Sequence, residues 1–278
     1  MSYLSPTLTL LVGAVKKATA SLDRDFNEIE KLQSSVRGYQ NFVSRSFERV
    51  AQTLKSELSR LRPDAVFVDG KPPLSRGCCF MVNPIDGMGN FVRGIPVFAT
   101  TVAYCENGEV KASVVYNRAS DELYFAEKGS GAYKEGFRNH ERLRVSAVKD
   151  GTAALVAASI GFQHGSAEYT AAYRDLFAET ENVRLLGSVA LSLAGVAAGK
   201  MDVCLSLGSN LNSAVAGLLL VREAGGYVYN LKREENRTGD RFRRVGGDQH
   251  LAGGVYRQTG GIVFLSFGGR ECAKSGCW

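Results

Sequence analysis

An α/β fold is what this sequence predicts, and three patterns carry the expectation. Apolar residues recur at steps of three and four up to Pro63, and short runs rich in Val, Phe, Tyr and Thr fill Ala65 to Val145. After about residue 150, apolar runs alternate with helical patterns. The chain therefore divides into an α+β half over 1–149, an α/β half over 150–256 and a Gly-rich tail over 257–278.

Taken in order, Leu8, Leu11, Val12, Val15, Leu22 and Phe26 lie on one helical stripe. Phe47, Val50, Leu54, Leu58 and Leu61 form a second, which Pro63 ends, so two amphipathic helices are expected to open the fold. A strand over 79–82 precedes a polar loop that could lead into a helix. The runs 97–105 and 110–116 flank Glu106-Asn107-Gly108-Glu109, where Gly among polar residues marks the tight turn of an antiparallel hairpin. Beyond residue 150 strands are expected over 153–160, 183–186, 202–207 and 227–231, with helices over 168–178, 188–198 and 214–224. Such alternation places strands between helices.

A length of 278 residues, 45% hydrophobic and 22% charged, suits one large domain or two closely packed halves. The net charge of +6 and pI near 9.0 permit attraction to phosphorylated metabolites or to nucleic acid without choosing between them. Much of the clustered excess is Lys232, Arg233, Arg237, Arg241, Arg243 and Arg244, interleaved with Glu234, Glu235 and Asp240, a mixture that reads as a solvated hairpin or loop. No apolar window approaches the roughly 18 residues that span a bilayer, and no basic region leads into an apolar stretch at the N-terminus, so a soluble, cytoplasmic protein without membrane contact is expected. Cysteines 78, 79, 105, 204, 272 and 277 lack paired C-x-x-C spacing and are expected to be reduced. His140, His164 and His250 have no carboxylate or Cys at ligand spacing and read as surface residues.

The segment Asn83-Pro84-Ile85-Asp86-Gly87-Met88-Gly89-Asn90-Phe91 is the most informative in the chain. Two carboxylates three apart, separated by Pro and followed by Gly, would present both acids to one Mg2+ cluster; here only Asp86 is ionisable. The frame resembles the D-P-[ILM]-D-G-T signature of the inositol monophosphatase family. Two further stretches are similar to that family's: Gly187 to Asp202, and Ala214-Val215-Ala216-Gly217 with Val221-Arg222-Glu223-Ala224-Gly225-Gly226. The resemblance runs from about residue 8 to about residue 256, with the tail beyond it.

That resemblance implies a layered αβαβα sandwich, Mg2+-dependent hydrolysis of phosphate monoesters and a homodimer. In such chemistry metals lower the pKa of the attacking water and neutralise charge on the departing oxygen. Carried over position by position, it also implies that most of the machinery is altered. Gly70, followed by Lys71, stands where the family has an acidic pair, and Asp69 is the acid beside it. Asn83 replaces the bridging Asp, Asp86 is retained, and Ile85 falls at a backbone position of the metal site. Met88 replaces the Thr that helps activate water, and Phe47, in Asn41-Phe42-Val43-Ser44-Arg45-Ser46-Phe47, replaces the Asp that supports it. Leu211-Asn212 replaces the Trp-Asp pair that supplies another ligand, and no acid lies between Asp202 and Glu223.

Three functions are compatible with these substitutions. The first is a catalytically impaired member with weak or no Mg2+ binding, kept to bind a phosphorylated small molecule or a partner. In that case Gly87, Met88 and Gly89 offer backbone N–H groups to an anion, or only shape a turn. The partner implied by the extragenic-suppressor branch is the transcription machinery. The second is a working phosphatase on inositol 1-phosphate or a related sugar or nucleotide monoester, with unusual ligands. The third is RNA contact through residues 232–244.

Overall fold

A computed structural model describes residues 4–32, 36–71, 73–148, 153–160, 174, 182–207, 210–233, 242–244 and 262–266. Three helices, rather than the two expected, open the fold: α1 (Pro6–Thr19), α2 (Leu22–Leu32) and α3 (Val36–Leu61). Ser5 caps α1 by accepting from the Leu8 amide at 3.2 Å, and Pro6 takes the first turn, where its missing N–H costs nothing. The stripe Leu8 to Phe26 is cut at Ala20–Ser21, yet Leu22 and Ile29 are as buried as Leu11 and Val15. Both pieces face one core, so periodicity runs across the break.

The first sheet contains β1 (Val66–Phe67), β2 (Cys78–Asp86), β3 (Ala99–Glu106), β4 (Glu109–Asn117), β5 (Glu122–Glu127), β6 (Gly131–Lys134) and β7 (Glu141–Arg142), paired in chain order. Only β1–β2 is parallel. The expected hairpin is β3–β4, with Glu106 opposite Glu109. Its central residues Asn107 (φ 50°) and Gly108 (φ 83°) take the left-handed conformation that such a two-residue turn demands.

The second sheet has the order β12-β11-β13-β10-β8-β9. Its strands are β8 (Val156–Ile160), β9 (Val183–Arg184), β10 (Val203–Leu207), β11 (Tyr227–Arg233), β12 (Phe242–Arg244) and β13 (Ile262–Ser266). All neighbours are parallel except the β11–β12 hairpin, which places Lys232 opposite Arg243. The expected helix over 168–178 lies outside the described residues. The tail is not simply an extension: residues 262–266 form β13, paired with both β10 and β11. The run Ile262–Ser266, short, apolar and flanked by glycines, has the composition of a buried parallel strand.

Between the sheets lie α5 (Val189–Ala197) and α6 (Leu211–Glu223), whose residues from Leu211 to Val221 are all buried. One apolar cluster joins the opening helices to the near face of the first sheet. The other joins the far face, through Met81, Ala103 and Val115, to α5, α6 and the second sheet. This second core crosses the boundary expected at 149–150, and α6 presses the two sheets' layers together. Asp202 adds a polar tie, accepting from Ser146 Oγ and from the Leu155 amide at 2.7 Å.

Candidate functional site

The signature segment begins as the end of β2. Pairing with β3 shifts register between Asn83 and Asp86, and Thr100 Oγ1 donates to Pro84 O at 2.6 Å. Gly87 then turns the chain with φ 85° and precedes the single-turn helix α4 (Met88–Phe91). A Cβ at Gly87 would stand 2.8 Å from Val97 O, so both conformation and space exclude a side chain there. The glycine's role in shaping the turn is thereby explained. Gly89 is exposed, with open space where a Cβ would point.

Asn90 fastens this turn to the entry of α5. Its Nδ2 donates to Val97 O and to Leu186 O, both at 2.7 Å. Opposite it, Gly187 has φ 73° and room for no Cβ, which would approach Asn90 Nδ2 to 2.9 Å. The Asn90 side chain of the first recognised stretch thus lies against the backbone where the second begins.

Asp86 points into the same junction and is buried. Its Oδ2 accepts from Ser188 Oγ at 2.6 Å and from the Ala190 amide at 2.9 Å. Ser188 is the N-cap of α5 and accepts in turn from the Leu191 amide at 3.2 Å. The retained carboxylate is thus part of a helix cap, where the positive end of the helix favours it. Burial is nevertheless the largest influence and moves its pKa upward, against the bonds from Ser188 and Ala190.

Asn83 and Asn212 are both hydrogen-bonded within the protein. Asn83 Nδ2 donates to Ser213 Oγ at 2.7 Å, and its Oδ1 accepts from the Ile85 amide at 3.2 Å. Asn212, at the start of α6, receives the Gly70 amide on Oδ1 at 3.1 Å. Its Nδ2 donates to Asp69 Oδ1 and to Val82 O, both at 3.0 Å, with Val68 O at 3.5 Å. Its backbone is held as well, the amide by Asn210 Oδ1 at 2.9 Å and the carbonyl by Thr101 Oγ1 at 3.1 Å. Gly70 itself has φ 61°, a conformation that suits glycine.

Phe47 and Met88 are half-buried against the apolar cluster that also contains Ile85, Phe91 and Phe98. The Phe91 and Phe98 rings stand edge to face, 4.9 Å apart. These two positions therefore present hydrocarbon and a thioether, not groups that move protons.

The structure thus gathers Gly70, Asn83, Asp86 and Asn212 around α5, α6 and β2, and places Phe47 and Met88 on the neighbouring apolar side. Ser213, Ser188 and Asn90 are site residues that sequence reading did not single out. Ser188 had a usable signal, a Ser before an apolar helical run. Ser213 had none beyond its place next to Asn212. Among the described residues no group of three His, Cys, Asp or Glu side chains could hold a metal ion. His140 sets its ring edge against Phe125 at 5.0 Å, while His164, His250, Cys272 and Cys277 lie outside the described residues. The four described thiols, Cys78, Cys79, Cys105 and Cys204, are free and buried. No helix among the described residues is long and apolar enough to cross a membrane.

Comparison with known proteins gives one consistent answer. A sequence model of the inositol monophosphatase family matches residues 3–263. An inositol-1-monophosphatase of Mesorhizobium japonicum is 40% identical over 242 residues, covering 82% of this chain and 86% of that protein. The Nus factor SuhB of Xylella fastidiosa is 30% identical over 231 residues, covering 82% of each. Among solved structures, the extragenic suppressor protein SuhB of Bartonella henselae superposes with a TM-score of 0.66 at 33% identity, covering 81% of this chain and 86% of that one. The layered α/β architecture is therefore the one these proteins share.

Proposed function

The chain belongs to the inositol monophosphatase family, and from that premise we propose that it is a catalytically impaired member that has kept the fold and a binding role. The family uses Mg2+, and the residues present here do not fit that ion. Mg2+ asks for several hard, negatively charged oxygens. At this site Asn83 and Asn212 turn amide nitrogens toward neighbouring oxygens. The Asp86 oxygen Oδ2 is held by two protein donors at the helix cap, and Asp86 alone offers a cation a single carboxylate. Asp69 is the other acid at the site, and its Oδ1 is engaged by Asn212. The observation that carries the reading is this turning of both asparagines into hydrogen-bond donors.

With Phe47 and Met88 apolar, the side chains that would activate water are also replaced. The retained role we assign is binding of a phosphorylated small molecule at the Gly87-Met88-Gly89 turn, which the open space at Gly89 supports. Calorimetric titration with inositol 1-phosphate, with and without Mg2+, tests it. Saturable binding independent of the metal is expected, and none at all removes the ligand role.

A working phosphatase is the second reading, favoured by the name of the relative at 40% identity. One assay separates the two: Mg2+-dependent phosphate release from inositol 1-phosphate by the natural chain and by a variant carrying Phe47→Asp, Gly70→Glu, Asn83→Asp, Met88→Thr and Asn212→Asp. The natural chain is expected to be silent; turnover at about 1 per second or faster would overturn the proposal. A homodimer, a cytoplasmic location and a protein or RNA partner stay within the proposal, the partner supported by relatives named Nus factor and by the β11–β12 hairpin that carries Lys232, Arg233, Arg243 and Arg244. RNA binding that weakens steeply with salt would establish the nucleic-acid form of that role.

A further inference from the structure

The Asn212 amide nitrogen sits where three oxygens converge. Asp69 Oδ1 and Val82 O are each 3.0 Å from it, and Val68 O is 3.5 Å away. These oxygens come from the loop after β1 and from β2, and Asn212 reaches them from the first turn of α6. A carboxylate and two carbonyls facing one point repel one another unless something positive or protonated stands among them; Asp69 is exposed and the two carbonyl residues partly buried, so solvent softens this repulsion without removing it. The Asn212 NH2 group has two protons to offer them. Oδ1 of the same side chain takes the Gly70 amide, so every polar atom of the side chain is used.

We propose that Asn212 is a built-in substitute for a cation: its amide nitrogen holds together an oxygen cluster, formed by Asp69, Val68 and Val82, that a metal ion would otherwise have to neutralise. The inference rests on the reading that the metal centre has been given up, and it adds what took the metal's structural place. It also gives Asp69 a part that the aligned positions did not: Gly70 supplies only an N–H, while the neighbouring carboxylate faces the cluster. Because the nitrogen belongs to the chain, this clasp is permanent and indifferent to chelators.

The substitution N212D inverts the clasp. The replacing carboxylate keeps an acceptor for the Gly70 amide but sets a second negative oxygen against Asp69 Oδ1 and Val82 O. Four oxygens, two of them charged, then surround one point, which is a donor set for a hard divalent cation. Thermal unfolding of the natural chain, N212D, N212D/D69N and N212A is to be followed in EDTA, in Mg2+ and in Ca2+. The natural chain is expected to melt at the same temperature in all three. N212D is expected to melt roughly 2–5 °C lower in EDTA, because the buried Asn212 position would then carry a charge facing Asp69, which is exposed, and the partly buried Val68 O and Val82 O. Millimolar Ca2+ or Mg2+ should restore most of that loss in N212D and markedly less in N212D/D69N. N212A should lose stability with no response to cations.

A natural chain stabilised by Mg2+, or an N212D variant as stable as the natural chain in EDTA, would overturn the proposal. So would an N212D variant that cations leave unimproved. If N212D does not fold under any condition, N212A decides, because a melting temperature equal to the natural one would show that the amide holds nothing. Phosphate release by the natural chain sinks the impaired-enzyme reading by a different measurement, so the two failures are told apart.

Discussion

At the scale of single residues, Asp86 has a structural task of its own, separate from any chemistry at the site. Its carboxylate serves Ser188 and the Ala190 amide at the head of α5, so Asp86→Ala would leave the buried Ser188 hydroxyl without an acceptor and the Ala190 N–H without a partner. A loss of roughly 2–4 kcal/mol is expected, measured by urea unfolding without any added metal. A loss that appears only when Mg2+ is present would instead mean that Asp86 is still a ligand. Glu109 gives the pH counterpart on the surface. Hydrogen bonds from Lys111 and Lys128 hold its pKa down to about 2, well below an ordinary glutamate. A depressed carboxylate adds stability above the unfolded-state pKa of about 4. That contribution disappears as pH falls toward 2, and because the pair is exposed it is small. The acid limb of the melting temperature in Glu109→Gln should accordingly be slightly flatter than in the natural chain.

The elements show how much of this arrangement could be read in advance. The β3–β4 hairpin was visible because Asn107 and Gly108 satisfy a backbone demand that only a few residues meet. Helices α5 and α6 were visible as apolar runs near their observed limits. The altered site positions were legible only through the family's motif frame; spacing alone would have left Asn83 and Asn212 as ordinary polar residues. What they do instead was not legible, because Ser213, Asp69 and Val82 reach them across 130 to 143 positions of chain. The contact of α5 with α6 was not legible either, because neither apolar run says which of its residues meets the other helix. A Cβ at Gly217 would lie 2.5 Å from the Cβ of Leu193, so the helices touch through glycine. Gly217→Ala should push them apart at a cost of roughly 1–3 kcal/mol, read as a lower urea midpoint. An unchanged midpoint would mean the two helices can separate freely.

On the scale of the whole molecule, the first sheet ends at Arg142 and the second begins at Val156, and the two share a core through α5 and α6. The clearest test is removal of residues 257–278. That deletion takes away β13 and leaves β10 and β11 with facing, unpaired edges in the middle of a sheet. The shortened chain should be largely insoluble, or show loss of cooperative unfolding by circular dichroism. A soluble chain with a natural melting temperature would show that 262–266 contributes nothing. Thiol labelling reports on the same integrity. Burial pushes Cys204, on β10, up to about 12, so this thiol should resist labelling at pH 8 in the folded protein, read at its own peptide, and react only in denaturant.

The placement of β13 also orders events in time. Strands β10 and β11 are joined through α6 alone, yet they never pair; a strand from much later in the chain must arrive between them. Until it does, the first sheet and its opening helices can consolidate through neighbouring contacts, while the second sheet waits with two open edges that invite the wrong partner. Closing that gap requires bringing distant segments together, the slow kind of step in folding. Refolding should therefore be biphasic, with the hairpin layers protected from hydrogen exchange before β10 and β11.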